Sequence, residues 1–329
     1  MFRRDPLATI REGVTALAPR RPSDGNGRPV AGRALIVDTA ALAATRVSPW
    51  AAVKLARDPK RPHALDVIQR AFSHFEELHG DRSFRDDPAI VGGIARLDGR
   101  PIVVVAQQKG ASTEENIQRN FGMPHPEGYR KAIRLYRLAE RFHLPVVTLI
   151  DTPGAYPGPE AEERGQAEAI ARSIETMTRL RTPVIAVILG EGGSGGALAL
   201  GIGDVVLAFE NAIYSVISPE GCAAILWRSA SEAERAAKAL KLAGPDLLEL
   251  GIVDALIPEP PGGAQNDHDA TARTLKAAIV SQLDRLAGLQ LSDLLAARHE
   301  RFRRIGVVIE PEGAAPPPRR TWWKRALGR

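Results

Sequence analysis

Residues 183–200 read PVIAVILGEGGSGGALAL. Val184–Leu189 is an apolar run of strand length, with nonpolar residues on both faces, as in a strand buried on both sides. Five glycines then fall within residues 190–196, and small residues follow that suit a helix packed close to a sheet. Three readings fit. Gly190, Gly192 and Gly195 match the dinucleotide-binding spacing G-x-G-x-x-G, and Gly192, Ser194 and Gly196 match the nucleophile elbow G-x-S-x-G. The third reading uses no reactive side chain: backbone N–H groups at the helix start hold a developing negative charge.

Outward from this stretch the same order of elements recurs. LPVVTLID (144–151) is a second buried-type strand, DTPGAYPG (151–158) a second glycine turn, and AEERGQAEAIARSIETMTRL (161–180) a helix. Strand, glycine turn and helix thus occur twice, the α/β organisation that places ligands at the carboxyl ends of strands. Upstream, PWAAVKLARD predicts a short helix. Leu65, Ile68, Phe72, Phe75 and Leu78 recur at spacings of three and four, which predicts one amphipathic helix over 64–80. AIVGGIARL and RPIVVVAQQ flank Asp98-Gly99, a hairpin signal. A polar loop (109–128) leads to the helix YRKAIRLYRLAERFH. DVVLAFE and AIYSVIS read as strands, PEGCAAILW as helical, and residues 271–288 and 291–305 as two closing helices.

The 329 residues carry a net charge of +5, unevenly spread. Residues 1–61 hold +7 and residues 301–329 hold +6, which leaves −8 on the body between them. That argues against a nucleic-acid-binding core. Residues 1–45 are rich in Pro, Gly and Arg and read as a disordered basic segment. Residues 46–306 read as the enzyme domain, and 307–329 as a Pro-rich basic tail. No apolar run approaches a membrane span, and the N-terminus lacks a secretory apolar region, so a cytoplasmic setting is expected. The single Cys222 allows no intramolecular disulfide and no cysteine cluster for a metal. His74, His79, His125 and His143 show no metal-ligand spacing, and no metal is expected in this chain.

The alternatives separate on local detail. Glu210 stands twenty residues after Gly190, where the dinucleotide fingerprint wants an acid, but only about two helical turns fit before Gly203-Asp204. The elbow needs an acid and then a histidine: Asp246 or Asp254, with His268 or His299. His268 sits in a Gly/Asn/Asp-rich loop and His299 on a charged helix. The backbone reading asks only that a carbonyl approach the glycines closely. In the second turn, Pro153, Gly154 and Tyr156 are candidate substrate-binding residues, with Tyr156 expected to project toward the first turn. Gly192, Gly193 and Lys109 are further candidates. Arg119, Arg130 and Lys131 add cations for phosphate or carboxylate.

IVGGIARLDGRP, QRNFGMPHPEGYRKA, IDTPGAYPG, AEERGQAEAIAR, GEGGSGGALALG and YSVISPEGCAAILW closely resemble the carboxyltransferase alpha subunits of acetyl-CoA carboxylase, over about Pro49 to Ile305. The resemblance implies a crotonase-like fold, a superhelix of repeated ββα units with peripheral helices. It implies transfer of a carboxyl group from biotin to acetyl-CoA, giving malonyl-CoA for fatty acid biosynthesis. The biotin is carried on a biotin carboxyl carrier protein and charged by biotin carboxylase. It implies a beta subunit with a four-cysteine zinc ribbon, an α2β2 assembly, and no zinc or biotinyl-lysine in this chain. By position, Gly195 and Gly196 would donate N–H groups to the ureido oxygen, with Ala197 able to replace one. A related acyl-CoA carboxyltransferase or decarboxylase subunit of the same fold stays open as an alternative. Residues 1–45 depart from the family's usual helical start.

Overall fold

The computed structural model describes residues 47–306; the segment read as disordered, 1–45, and the Pro-rich basic tail, 307–329, lie outside the described residues. One sheet organises the chain. Its strands are β1 (Ser73–Glu77), β2 (Ile90–Leu97), β3 (Arg100–Gln107), β4 (Val146–Thr152), β5 (Val184–Gly193), β6 (Val205–Phe209), β7 (Ile213–Ser215) and β8 (Ala255–Ile257). They are ordered β1-β2-β3-β4-β5-β6-β8, and β7 pairs with the far end of β5. β1 to β3 are antiparallel neighbours, and β3 to β6 run parallel. Every residue of β4 is buried. That is why its sequence shows no polar alternation: helices cover both faces of a parallel sheet.

The helices are α1 (Pro49–Ala56), α2 (Ala64–Ala71), α3 (Thr113–Gln118), α4 (Pro126–Arg141), α5 (Pro159–Glu163), α6 (Gln166–Arg179), α7 (Ser194–Leu198), α8 (Pro219–Trp227), α9 (Ala233–Leu240), α10 (Gly244–Glu249), α11 (His268–Ala287) and α12 (Leu291–Arg303). Strand–strand–helix units appear at β2–β3–α4 and β6–β7–α8, while β4 and β5 each lead directly into a turn and a helix. The Asp98-Gly99 hairpin forms with both residues left-handed, φ 48° and 78°. That is the tight turn whose twist matches the flanking strands.

Three readings of the sequence change. The helix expected over 64–80 stops at Ala71, and Ser73–Glu77 forms an edge strand on β2. His74 takes φ 52°, and the β1–β2 register shifts between Ser73 and Glu76. This bulge inserts a residue, so Phe72 and Phe75 both reach the core and their spacing of three imitates a helix. The helix expected over 161–180 is broken at Gly165, φ 83°, into α5 and α6. The polar loop after β3 contains α3 and a tight turn at Asn120–Gly122.

Candidate functional site

Because β3, β4, β5 and β6 are parallel, their carboxyl ends lie along one edge of the sheet. The residues at or just past those ends are Lys109, Asp151 to Gly158, Glu191 to Gly196, and Glu210. The two glycine turns are packed on each other. A side-chain carbon at Gly193 would overlap the Pro153 carbonyl, and one at Gly196 would overlap the backbone of Gly154 and Ala155. Gly154 itself takes φ 156° and is buried, while Pro153 is exposed. Gly192 pairs with Thr152 on one side and Tyr214 on the other, and the Tyr214 ring lies against it.

Gly195 differs from its neighbours. A side-chain carbon there would meet only Ile170, at 3.9 Å, and its backbone is not left-handed. Neither packing nor conformation requires glycine at 195, so the space in front of it is open.

α7, the helix that begins at this turn, has five residues, too short to be stable alone. One of its carbonyls, and those of the two residues that follow the helix, are held from outside. Gln107 Nε2 donates to Gly196 O at 2.7 Å, Ser173 Oγ to Ala199 O at 2.6 Å, and Thr148 Oγ1 to Leu200 O at 2.7 Å. The N–H groups of its first turn have no partner within the helix, as at any helix start. The turn is therefore a rigid frame presenting backbone donors beside Gly195. Ser194 is exposed with φ 50°, the strained strand-to-helix geometry of an elbow. The acids and histidines it would need are engaged elsewhere. His268 Nε2 is 2.8 Å from Lys60 O, Asp254 binds Val206 N and Arg301, Asp246 is 3.4 Å from Lys241, and His299 is exposed on α12. Of the dinucleotide spacing, Gly190 and Gly192 lie inside β5 and Gly195 in α7, with no loop between them, and Glu210 accepts from Glu259 N at 3.1 Å.

Behind the turns lies a buried charge network. Lys109 Nζ is 2.8 Å from Asp151 Oδ1 and 3.4 Å from Glu191 Oε2. Asp151 Oδ1 also accepts from Glu191 N at 3.0 Å, and its Oδ2 is 3.4 Å from His63 Nδ1. Arg57 donates to Glu191 and Glu220. Burial alone would lower the Lys109 pKa, but Asp151 and Glu191 outweigh it and hold the ammonium above its usual value. Burial likewise opposes ionisation of Asp151, yet Lys109 and His63 hold its pKa well below the carboxylate range.

The structure brings together Gly192, Gly193, Gly195, Gly196, Ala197, Pro153, Gly154 and Lys109. The Tyr156 ring lies tilted against His125, with centroids 4.1 Å apart. Arg130 is held by Asp81 and Glu127, Lys131 by Asp86, and Arg119 by Pro88 O. Those cations serve the protein. The sequence reading missed Gln107, Arg57, Arg61, His63, Glu191 and Tyr214. Asp151 and Glu191 did leave a signal: each is a lone carboxylate ending an apolar run. The partners from α1 and the loop after it left none, because nothing local says where they dock. Among the described residues no cluster of His, Cys, Asp or Glu could hold a metal, and no helix is long and apolar enough to cross a membrane.

Residues 36–306 match the family described as acetyl co-enzyme A carboxylase carboxyltransferase-like. An acetyl-coenzyme A carboxylase carboxyl transferase subunit alpha of Thermus thermophilus is 60% identical over 265 residues, covering 80% of this chain and 85% of the relative. The same subunit of Methylococcus capsulatus is 57% identical, covering 80% and 83%. Among solved structures, transcarboxylase 12S superposes with a TM-score of 0.57 at 22% identity, covering 72% of this chain and 45% of that one. The beta subunit of Pseudomonas aeruginosa geranyl-CoA carboxylase gives a TM-score of 0.54 at 18% identity, covering 80% and 48%. The chain thus spans about half the length of these structural neighbours, which share its crotonase-like fold.

Proposed function

The chain belongs to the acetyl-CoA carboxylase carboxyltransferase family as an alpha subunit, and from that premise we propose that its glycine turn receives the ureido group of carboxybiotin. The family makes it a transferase acting with a beta subunit, in the supply of malonyl-CoA for fatty acid biosynthesis. When bound, carboxybiotin supplies the carboxyl group and then a ureido nitrogen able to take a proton from acetyl-CoA. The work left to this chain is electrostatic. As the carboxyl group leaves, negative charge builds on the ureido oxygen, and the Gly195 and Gly196 N–H groups are the donors that meet it, with Ala197 next in line. The α7 frame holds those donors before the charge appears, so little reorganisation is needed.

The observation that carries this reading is the open space at Gly195. It is the one position of the turn whose glycine the fold itself does not need, and a side chain there would fill the cradle. A backbone site also accounts for a reaction that runs without a histidine or an acid from the chain. The thioester oxygen of acetyl-CoA needs its own donors, which we assign to the beta subunit, in an α2β2 assembly served by the biotin carboxyl carrier protein and biotin carboxylase. No metal is assigned to this chain, and a cytoplasmic setting follows from the same reading.

The test compares Gly195→Ala with Ser194→Ala in the complex with the beta subunit, measuring carboxyl transfer from free carboxybiotin. Gly195→Ala should fold and assemble normally and lose about 10²–10³ in rate, the scale of one oxyanion donor. Ser194→Ala should stay within about twofold of the parent, since only backbone is used. A fully active Gly195→Ala removes the turn from the mechanism, and an inactive but folded Ser194→Ala returns the reaction to a serine nucleophile.

A further inference from the structure

The glycine turn is aimed by a displaced stretch of β5, and that displacement has its own lock. Through most of the β4–β5 pairing the strands run in step, up to Ile150 opposite Ile188. The next pair is Thr152 opposite Gly192, so β5 advances four residues where β4 advances two. The extra chain, Leu189 to Glu191, bulges from the ladder just before the turn. A bulge bends its strand and re-aims the chain beyond it, and its backbone groups need other partners. They have them. The Leu189 carbonyl accepts from Arg61 Nη2 at 2.6 Å and Nε at 3.0 Å, and the Glu191 N–H donates to Asp151 Oδ1 at 3.0 Å.

We propose that Lys109 is a positioning residue for carboxyl transfer: its ammonium locks the Leu189–Glu191 bulge to the end of β4 and so sets the placement of the Gly195 and Gly196 N–H groups, without touching substrate. The inference rests on the oxyanion assignment of that turn. Lys109 joins the two carboxylates that stand one residue before each turn's own chain, Asp151 before Thr152 and Glu191 before Gly192. Its side chain is 14% exposed, and its stem is covered by Gly122, where a side-chain carbon would lie 2.6 Å from Lys109 Cγ. Held at both ends, it is not placed to swing toward a ligand. Lys109 is the cation paired with Asp151, while Glu191 is shared between Lys109 and Arg57. Removal of one member therefore leaves a buried charge without its counterpart and frees the bulge to shift. A displacement of about 1 Å in a reacting constellation costs on the order of 10²-fold in rate.

The experiment is a double-mutant cycle in the complex with the beta subunit: Lys109→Met, Glu191→Gln and both together, with kcat and KM for free carboxybiotin and for acetyl-CoA. Lys109→Met should lower kcat about 100-fold and leave both KM values within about threefold. The double variant should be no slower than Lys109→Met alone, because both act on one lock. It also keeps the net charge of the network at that of the parent, since one cation and one carboxylate are removed together, so it supplies the measurement if Lys109→Met fails to assemble. An unchanged kcat in whichever of these two variants assembles overturns the proposal. So does a KM increase of about tenfold or more that multiplies with the Glu191→Gln effect, since that makes Lys109 a substrate contact. Gly195→Ala separates the two readings. If it is slow while Lys109→Met is not, only the positioning role falls; if it is fully active, the oxyanion assignment falls and takes this inference with it.

Discussion

Gly195 and Gly196 are neighbours with different reasons for being glycine. Gly196 is demanded by the fold, because any side chain there meets the backbone of Gly154 and Ala155. Gly196→Ala should therefore push the two turns apart and lower stability before it says anything about catalysis, which a thermal melt of the complex would register as a lower Tm than that of Gly195→Ala. A second residue-scale effect concerns acidity. Asp87 is buried, and burial pushes its carboxyl up to about 6 against backbone hydrogen bonds from Ala89 and His125, with Lys131 also favouring and Glu127 opposing its charge. Its folded pKa lies above its unfolded one, so the folded state holds this proton more tightly. Stability from this group is fully present below about pH 4 and is lost as pH rises to about 6. Asp87→Asn removes that titration. The stability deficit of Asp87→Asn relative to the parent should shrink between about pH 4 and about pH 6 in urea unfolding of the purified chain. A deficit that is constant or grows with pH contradicts the assignment.

At the scale of elements, short pieces are held by side chains from distant ones. α7 depends on Gln107, Thr148 and Ser173. α12 depends on Arg298, which is fully buried. Its guanidinium forms a fork with Asp204, 2.8 and 2.7 Å, and gives its other hydrogens to the carbonyls of Met177, Leu180 and Thr182. All five donors are used, and the loop between α6 and β5 is tied to the last helix. Arg298→Met leaves Asp204 buried without its cation, a loss of about 3–5 kcal/mol. Chemical denaturation should show it as a lower midpoint, with α12 amides exchanging faster. A stability within about 0.5 kcal/mol of the parent, the range of an ordinary surface substitution, would mean that this fork adds little.

At the scale of the molecule, the described residues present one such frame of backbone donors, while the proposed reaction develops charge on two oxygens. The isolated chain should make no malonyl-CoA from carboxybiotin and acetyl-CoA. Activity should appear on titration with the beta subunit and level off at equal numbers of the two chains, with the mass of the assembly determined in parallel. Full activity of the isolated chain would mean that a second oxyanion site lies within it.

The sequence by itself determined the α/β class, the positions of β2 to β5, the hairpin at Asp98-Gly99 and the glycine turn proposed as the site. Those features are local: apolar runs of strand length and residues that allow unusual dihedrals are written in consecutive positions. Family resemblance in the motifs supplied the chemistry that such patterns leave open. Tertiary structure decided what no local pattern encodes. Phe75 reaches the core from a bulged edge strand although its spacing is that of a helix. Tyr156 packs its ring on His125 at the start of α4. Lys109 proved to be bound within the protein, because its partners Asp151 and Glu191 are 42 and 82 residues away and meet it only where three parallel strands end together. Side-chain pairing over such separations is set by strand order and register, and a single chain of letters fixes these only once the whole core has packed.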